Sequence, residues 1–240
     1  KNHYNLSEMI KTIYIIVPVF NEEKTIKTVL DELLALYSNC KIIVVDDGSF
    51  DNTPEVIKSI NHPNLIKLRN PTNSGKGSAM IRGLNGIEET LDGIVIFCDS
   101  DLEIGTNQVQ KIINAYHQNN DHQAIFGSRF LHSNNFNIFG FKFIINYLLT
   151  FLSNKITSTQ LTDMETALKS FKTDLIKKMD LTSNGFDIEP EIVFKLSKLN
   201  ILIHEIPIEY SPRSKSEGKK MSIKGGLVTL RALLKFSFQK

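Results

Sequence analysis

Four short apolar runs, each cut off by polar residues and separated by helix-length segments, set the architecture of the first half of the chain. Ile13 to Val19, Lys41 to Val45 and Ile94 to Cys98 are rich in β-branched residues, the composition of strands, and Asn64 to Leu68 reads as another short strand. Short, nearly continuous apolar runs suit inner strands of a mostly parallel sheet covered on both faces. Pro18 has no N–H to donate and is expected to end the regular hydrogen bonding of the first strand. Between the runs, Thr25 to Tyr37 places Ile26, Val29, Leu30, Leu33, Leu34 and Tyr37 on one helical stripe. Glu22 and Glu23 are expected in the first turn of that helix, where acids suit the dipole. Asp51 to about Ile60 and Ala79 to Thr90 read as two further helices, and Asn70 to Ser78 as a polar loop. Strands alternating with helices imply right-handed βαβ units and an α/β fold, a Rossmann-like sheet of the nucleotide-binding type.

In such sheets ligands collect outside the carboxyl ends of the strands, and polar clusters accumulate there. Asp99 and Asp101 follow the fourth run directly, with Glu103 two residues on. Two carboxylates one residue apart can share a hard cation such as Mg²⁺ or Mn²⁺, with Glu103 as a third oxygen ligand. Pro18 to Glu22 closes the first run and Asp46-Asp47-Gly48-Ser49 the second. Lys76, between Gly75 and Gly77, can reach phosphates while the glycines allow close backbone approach. The spacing is not that of a Walker loop. Each cluster alone is compatible with ordinary turn or helix-cap chemistry; all four on one edge are hard to explain that way.

The bulk properties exclude several classes. With 28 basic against 26 acidic residues the net charge is +2, which gives no case for a nucleic-acid partner. The two cysteines, Cys40 and Cys98, allow neither a disulfide framework nor zinc spacing, and point to a reducing compartment. No secretory signal is read at the start. No uninterrupted apolar run approaches the roughly 20 residues of a membrane-spanning helix.

Five motifs in order carry a resemblance. Val17-Pro18-Val19-Phe20-Asn21-Glu22-Glu23, Val44-Val45-Asp46-Asp47-Gly48-Ser49, Asn73 to Ala79, Asp99-Ser100-Asp101 and Gly127-Ser128-Arg129-Phe130 resemble the motif set of family 2 glycosyltransferases, which have the GT-A fold. In the second half, Thr162-Asp163-Met164-Glu165-Thr166 with Lys169, Phe186 to Glu191, and Pro207 to Arg213 with Glu217-Gly218-Lys219-Lys220 are similar to the polyprenyl-phosphate branch, dolichol-phosphate mannose synthases included. The resemblance implies that Pro18, Phe20, Glu22 and Asp47 hold the nucleoside of a UDP- or GDP-linked sugar. It implies that Asp99 and Asp101, with Glu103, bind the metal and the donor diphosphate. Arg129 would face the phosphate of a polyprenyl phosphate acceptor, and the Arg213 to Lys220 loop, Lys219 included, would close over both substrates. Ala167 stands where relatives commonly carry Gly or Cys, a small change in the acceptor wall.

Residues 136–152 combine a wide apolar face with a polar stripe of Lys142, Asn146 and Thr150, continued by Asn154. That pattern fits a core helix packed on the sheet or an interfacial helix lying in a bilayer surface beside Arg129. Met221 to Lys240 interleaves Leu227, Leu230, Leu234 and Phe238 with Lys224, Arg231 and Lys235, the pattern of a basic amphipathic helix at a membrane surface or docked on the domain. The expected organisation is one domain over residues 1–220, with a nucleotide-sugar half at about 11–130 and an acceptor half at about 131–220, followed by this helix. The expected location is the cytoplasmic face of a membrane, held peripherally or anchored.

The expected reaction is metal-assisted transfer of a hexose to the lipid phosphate, with the inversion the family implies. A phosphate monoester, with its second pKa near about 6, needs positioning rather than deprotonation. A hydroxyl acceptor, as in a soluble family 2 enzyme, would need a general base, and Asp163 or Glu165 would then be the candidate. A non-catalytic nucleotide-sugar binder is the third reading, and the intact Asp99-Ser100-Asp101 argues against it.

Overall fold

The apolar runs become neighbours in one sheet. The computed structural model describes residues 12–87, 92–131, 140–213 and 223–238. Its strands are β1 (Thr12–Val19), β2 (Cys40–Asp46), β3 (Leu65–Arg69), β4 (Gly93–Phe97), β5 (Ala124–Ser128), β6 (Lys169–Lys172) and β7 (Ile203–Pro207). They lie in the order β3-β2-β1-β4-β6-β5-β7. β6 runs antiparallel to both its neighbours, and the other pairs are parallel. The helices are α1 (Ile26–Leu36), α2 (Thr53–Ser59), α3 (Lys76–Asn85), α4 (Val109–Gln118), α5 (Gly140–Thr157), α6 (Thr173–Lys178), α7 (Ile188–Lys198) and α8 (Ile223–Ser237).

Successive strand residues point to opposite faces, so the sheet has two cores. Ile15 and Val17 of β1 pack with Ile26, Leu30 and Leu33 of α1 and with Val109 and Ile112 of α4. Tyr14 and Ile16 face the other way, into a core shared with α3, α5, α6, α7 and α8. α8 is docked on α7 through Phe194, Ala232 and Phe236. Among the described residues, no helix is long and apolar enough to cross a membrane.

Three local expectations change. Pro18 lies within β1, paired with Val45. The Val19 carbonyl bonds to Asp47 on the β2 side and the Ile16 carbonyl to Cys98 on the β4 side. Alternation therefore turns Pro18 toward the β4 side at the end of that strand, so its missing N–H forgoes only the last bond of the ladder. Glu22 and Glu23 precede α1 rather than opening it; the Glu22 carbonyl caps it instead, accepting the N–H groups of Thr25 and Ile26. α3 begins at Lys76, three residues earlier than the sequence pattern suggests. Gly75, at φ +100, turns the chain straight into the helix, and a Cβ there would lie 2.4 Å from the Asn184 carbonyl oxygen. The strands β5, β6 and β7 carry no unbroken apolar run to mark them: Gly127 and Ser128, Lys169, Ser170 and Lys172, and His204 and Glu205 interrupt them.

Candidate active site

A cleft of about 910 Å³ opens along the carboxyl ends of the parallel strands. Pro18, Phe20, Glu22, Asp47, Lys76, Asp99, Asp101, Glu103, Arg129 and Arg213 all line it. These candidate residues therefore share one cleft, but several hold different partners from those expected. Lys219 lies outside the described residues, as does the loop from 214 to 220 and the start of the 136–152 segment.

At one end Phe20 packs edge-on against the exposed Phe50, ring centres 5.8 Å apart. Asp47 is a loop clamp as well as a lining residue. Its oxygens accept from Asn70 Nδ2 at 2.6 Å, from the Ser74 N–H at 3.1 Å and from the Gly75 N–H at 2.7 Å. The carboxylate read as a nucleoside ligand is thus largely consumed in holding the 70–75 loop.

Asp99 and Asp101 stand side by side at the end of β4. Burial and the charge of Asp99 push the Asp101 carboxyl up to about 6, against the Glu103 N–H and Arg213. Paired oxygen donors whose charges repel are what a divalent hard cation relieves, with substrate phosphates and water completing its shell. Asp99 and Asp101 therefore fit such an ion. Glu103 does not belong to the set: its Oε2 accepts from the Tyr210 hydroxyl at 2.7 Å and its Oε1 from the Arg213 N–H at 3.0 Å. Among the described residues no group of three or more His, Cys, Asp or Glu is arranged to hold a metal. Tyr210 is distant in sequence, so nothing near Glu103 signals this pairing.

Arg213 is joined to the Arg129 side through Glu103 and Tyr210, over whose ring the Arg129 guanidinium lies at 5.3 Å. The Arg213 guanidinium spans Glu22, at 2.9 and 3.1 Å, and Asp101, at 3.4 Å. The chain's own cation thus covers these acidic groups of the cleft.

A buried chain of alternating charge runs beneath the middle of the cleft. Lys76 Nζ sits 3.1 Å from both Asp99 Oδ1 and Glu189 Oε1. Glu189 Oε2 in turn binds Lys169, whose ammonium also donates to the Met164 and Thr166 carbonyls. Burial works against the Lys76 charge, but Asp99 and Glu189 outweigh it and hold its pKa above the ordinary value. For Glu189 burial opposes the anion, and Lys169 and Lys76 prevail, keeping its pKa low. Sequence reading gave Glu189 no role. The available signal was an acid flanked by Ile188 and Pro190 in a helix whose first turn is buried. Glu191 accepts the Thr182 and Ser183 N–H groups, fixing the loop that abuts Gly75 and Gly77.

At the far end Arg129 is locked by Asp163, with Nε and Nη2 each 2.7 Å from a carboxylate oxygen. Asp163 also accepts from the Arg129 N–H and Asn146 Nδ2, is fully buried and does not line the cleft. Burial disfavours its anion, yet Arg129 holds its pKa below the ordinary value. Asp163 is accordingly an anchor for Arg129, and the expectation of a catalytic base fails at this residue. Beyond Arg129 the wall turns apolar, with Phe130, Phe143, Ile145, Leu149 and Phe186, and with Gly225 and Gly226 of α8.

α5 carries the polar stripe anticipated from sequence, facing inward. Asn146 and Thr150 are buried, and Thr150 Oγ1 accepts the Met164 N–H. Asn154 accepts the Leu161 N–H and donates to the Leu161 carbonyl. Ile144, Tyr147, Leu148 and Phe151 are left more than half exposed on the outer side.

The family model described as glycosyl transferase family 2 matches residues 14–179. The chain is 30% identical to a UDP-N-acetylglucosamine–dolichyl-phosphate N-acetylglucosaminyltransferase of Methanococcus voltae, over 89% of this chain and 92% of that one. It is 24% identical to an undecaprenyl-phosphate mannosyltransferase of Micrococcus luteus, over 89% and 88%. Among solved structures it resembles glucosyl-3-phosphoglycerate synthase of Mycobacterium tuberculosis in complex with Mn²⁺, UDP and phosphoglyceric acid. That likeness has a TM-score of 0.71 at 19% identity, over 95% of this chain and 78% of that one.

Proposed function

The chain belongs to glycosyl transferase family 2, with the GT-A fold, and from that premise we propose that it transfers a hexose from a nucleotide sugar to a polyprenyl phosphate at a membrane surface. One observation carries the reading: a single cleft joins the Asp99–Asp101 pair to an anchored arginine, and then to an apolar wall between α5 and α8. The names of the Methanococcus and Micrococcus relatives support the acceptor class.

In this reading the nucleoside lies toward Pro18, Phe20 and Glu22, and the diphosphate toward Lys76, Asp99 and Asp101. Asp99 and Asp101 would hold a Mg²⁺ or Mn²⁺ ion, which would supply neutralisation of charge on the departing diphosphate. Lys76 adds a fixed cation beside it. Arg213 exchanges Glu22 and Asp101 for the donor as the substrate enters. Arg129 meets the acceptor phosphate, its orientation set by the Asp163 fork. A phosphate oxygen attacks the anomeric carbon from the face opposite the leaving group, and the bond to the diphosphate oxygen breaks, which inverts the centre. The acceptor is largely a dianion at neutral pH, so no proton has to be removed. That agrees with Asp163 being tied up and unfit as a base.

The exposed row Ile144, Tyr147, Leu148 and Phe151 on α5, together with the exposed Leu227, Val228 and Leu234 on α8, a helix packed against α5, is the face we assign to the bilayer. It places the apolar end of the cleft at the lipid.

The test is transfer from UDP-glucose, UDP-N-acetylglucosamine and GDP-mannose, with Mn²⁺, to polyprenyl phosphate and to the corresponding polyprenol. Product on the phosphate alone is expected. Transfer to a sugar or protein hydroxyl but not to the lipid phosphate would overturn the acceptor, and donor binding with neither transfer nor hydrolysis would overturn the activity.

A further inference from the structure

The stretch from Thr162 to Lys169 is tethered at almost every turn. The Thr162 and Asp163 N–H groups donate to the Glu205 carboxylate at 2.8 and 3.1 Å. The Met164 N–H reaches Thr150 Oγ1 at 3.1 Å, and the Met164 and Thr166 carbonyls accept from Lys169 at 3.0 and 2.5 Å. These bonds fix the backbone on both sides of Glu165. The Glu165 side chain itself lines the cleft, with its Oε1 turned into the protein on the Thr229 side. A carboxylate held on a rigid frame is what a binding site needs before its ligand arrives.

The neighbours of Glu165 locate it. It is flanked by Glu189 of α7, Lys169 of β6, Arg129 beyond β5 and Thr229 of α8, whose buried hydroxyl faces its carboxylate. Glu189 leads through Lys76 to Asp99 on one side, and Arg129 stands on the other. Resting on the reading above, the group being transferred lies between those two ends. A hexose offers hydroxyl donors there, and a carboxylate is an acceptor with room for more than one. A phosphate in the same place would bring like charge against like.

We infer that Glu165 is a specificity-determining residue for the donor sugar, its carboxylate accepting hydrogen bonds from hydroxyls of the transferred hexose. Burial and the Glu189 charge push the carboxyl up to about 7, against Lys169, Thr229 and Arg129. Sugar recognition should therefore strengthen as the pH rises through neutrality and the group ionises.

The experiment measures calorimetric affinities with Mn²⁺ for UDP, GDP, UDP-glucose, UDP-N-acetylglucosamine and GDP-mannose, in the wild type, Glu165→Gln and Glu165→Ala. The nucleoside diphosphate is expected to bind all three proteins alike. The best sugar nucleotide should lose about 10–100-fold in Glu165→Ala, the scale of a hydrogen bond to a charged group. Its extra affinity over the bare diphosphate should grow from about pH 6 to about pH 8 in the wild type and stay flat in Glu165→Gln. An undiminished sugar increment in Glu165→Ala overturns the inference, and so does equal loss of sugar nucleotide and bare diphosphate. If the wild type binds the diphosphates but gains nothing from the sugar, the inference falls alone. If it binds none of the five ligands, the functional reading falls with it.

Discussion

α1 and α5 both pack on the same sheet, and they differ in what each leaves on its outer side. α1 turns Ile26, Val29, Leu30 and Leu33 inward and leaves Lys27, Asp31 and Glu32 in water. α5 turns Asn146, Thr150 and Thr157 inward and leaves Ile144, Tyr147, Leu148 and Phe151 outside. The α1 side is held by apolar burial. The α5 side adds a network of buried charges and hydrogen bonds around residues 161–169. Periodicity reveals that a helix has two faces; which face the protein keeps depends on what lies beyond each. α5 buries Leu149 and Ile156 beside its polar stripe, and a helix that still leaves large apolar groups outside is shaped for a non-aqueous neighbour.

The largest effect should come from cutting the network. Lys169→Met leaves Glu189 with Lys76 alone and strips the donor from two carbonyls. Removing one partner of a buried pair costs about 3–5 kcal/mol. Denaturant unfolding should show that loss, and a cost under about 1 kcal/mol would mean the acceptor side rests on apolar packing like its counterpart. On the α1 side, Leu33→Ala should cost about 2–5 kcal/mol through lost transfer energy and the cavity left behind. Its effect should not change with pH or salt, whereas that of Lys169→Met should.

The same contrast explains what could be read from sequence. β1, β2 and β4 were visible because strands buried on both faces are written as unbroken apolar runs, and the polar clusters after them mark the ligand edge. The cleft's lining followed from that edge together with the motif resemblance. What escaped was set by distant partners. Glu103 looked like a metal ligand because Tyr210 and Arg213, which claim its carboxylate, lie far along the chain. Asp163 looked like a base because nothing local shows its fork with Arg129. Lys76 looked like loop because the helix start depends on Gly75 fitting against Asn184.

Glu165→Gln is the third test, and its sign is opposite. In the folded protein the carboxyl's pKa is raised from 4.5 to about 7. The folded state therefore holds the proton more tightly, and its stability falls as pH rises from about 4.5 through about 7. Replacing the acid by its neutral isostere removes that loss. The variant should be more stable than the wild type at pH 8 by up to about 3 kcal/mol, with the gain disappearing toward about pH 4.5. Melting curves across that range decide it. A destabilised variant at pH 8 would show that the carboxylate is already satisfied within the chain.

The smallest effect on folding should accompany the clearest effect on location. Leu148 and Phe151 are 57% and 52% exposed, so Leu148→Ser with Phe151→Ser uncovers no core and should shift stability by no more than about 0.5 kcal/mol. Surface serines in place of large apolar groups on α1's outer face would do as little. On α5, however, those side chains are assigned to a bilayer, where each buried CH₂ is worth roughly 0.8 kcal/mol. Co-sedimentation with vesicles containing anionic lipid should drop by at least about tenfold in the double variant. Transfer to a short, water-soluble prenyl phosphate should be retained, since the cleft is untouched. If vesicle binding survives, the exposed row on α5 is not the membrane face, and attachment rests on α8 or on residues beyond those described. If folding is lost instead, the apolar row is packed against another part of the protein, and the contrast between the outer sides of α5 and α1 has to be explained without a lipid.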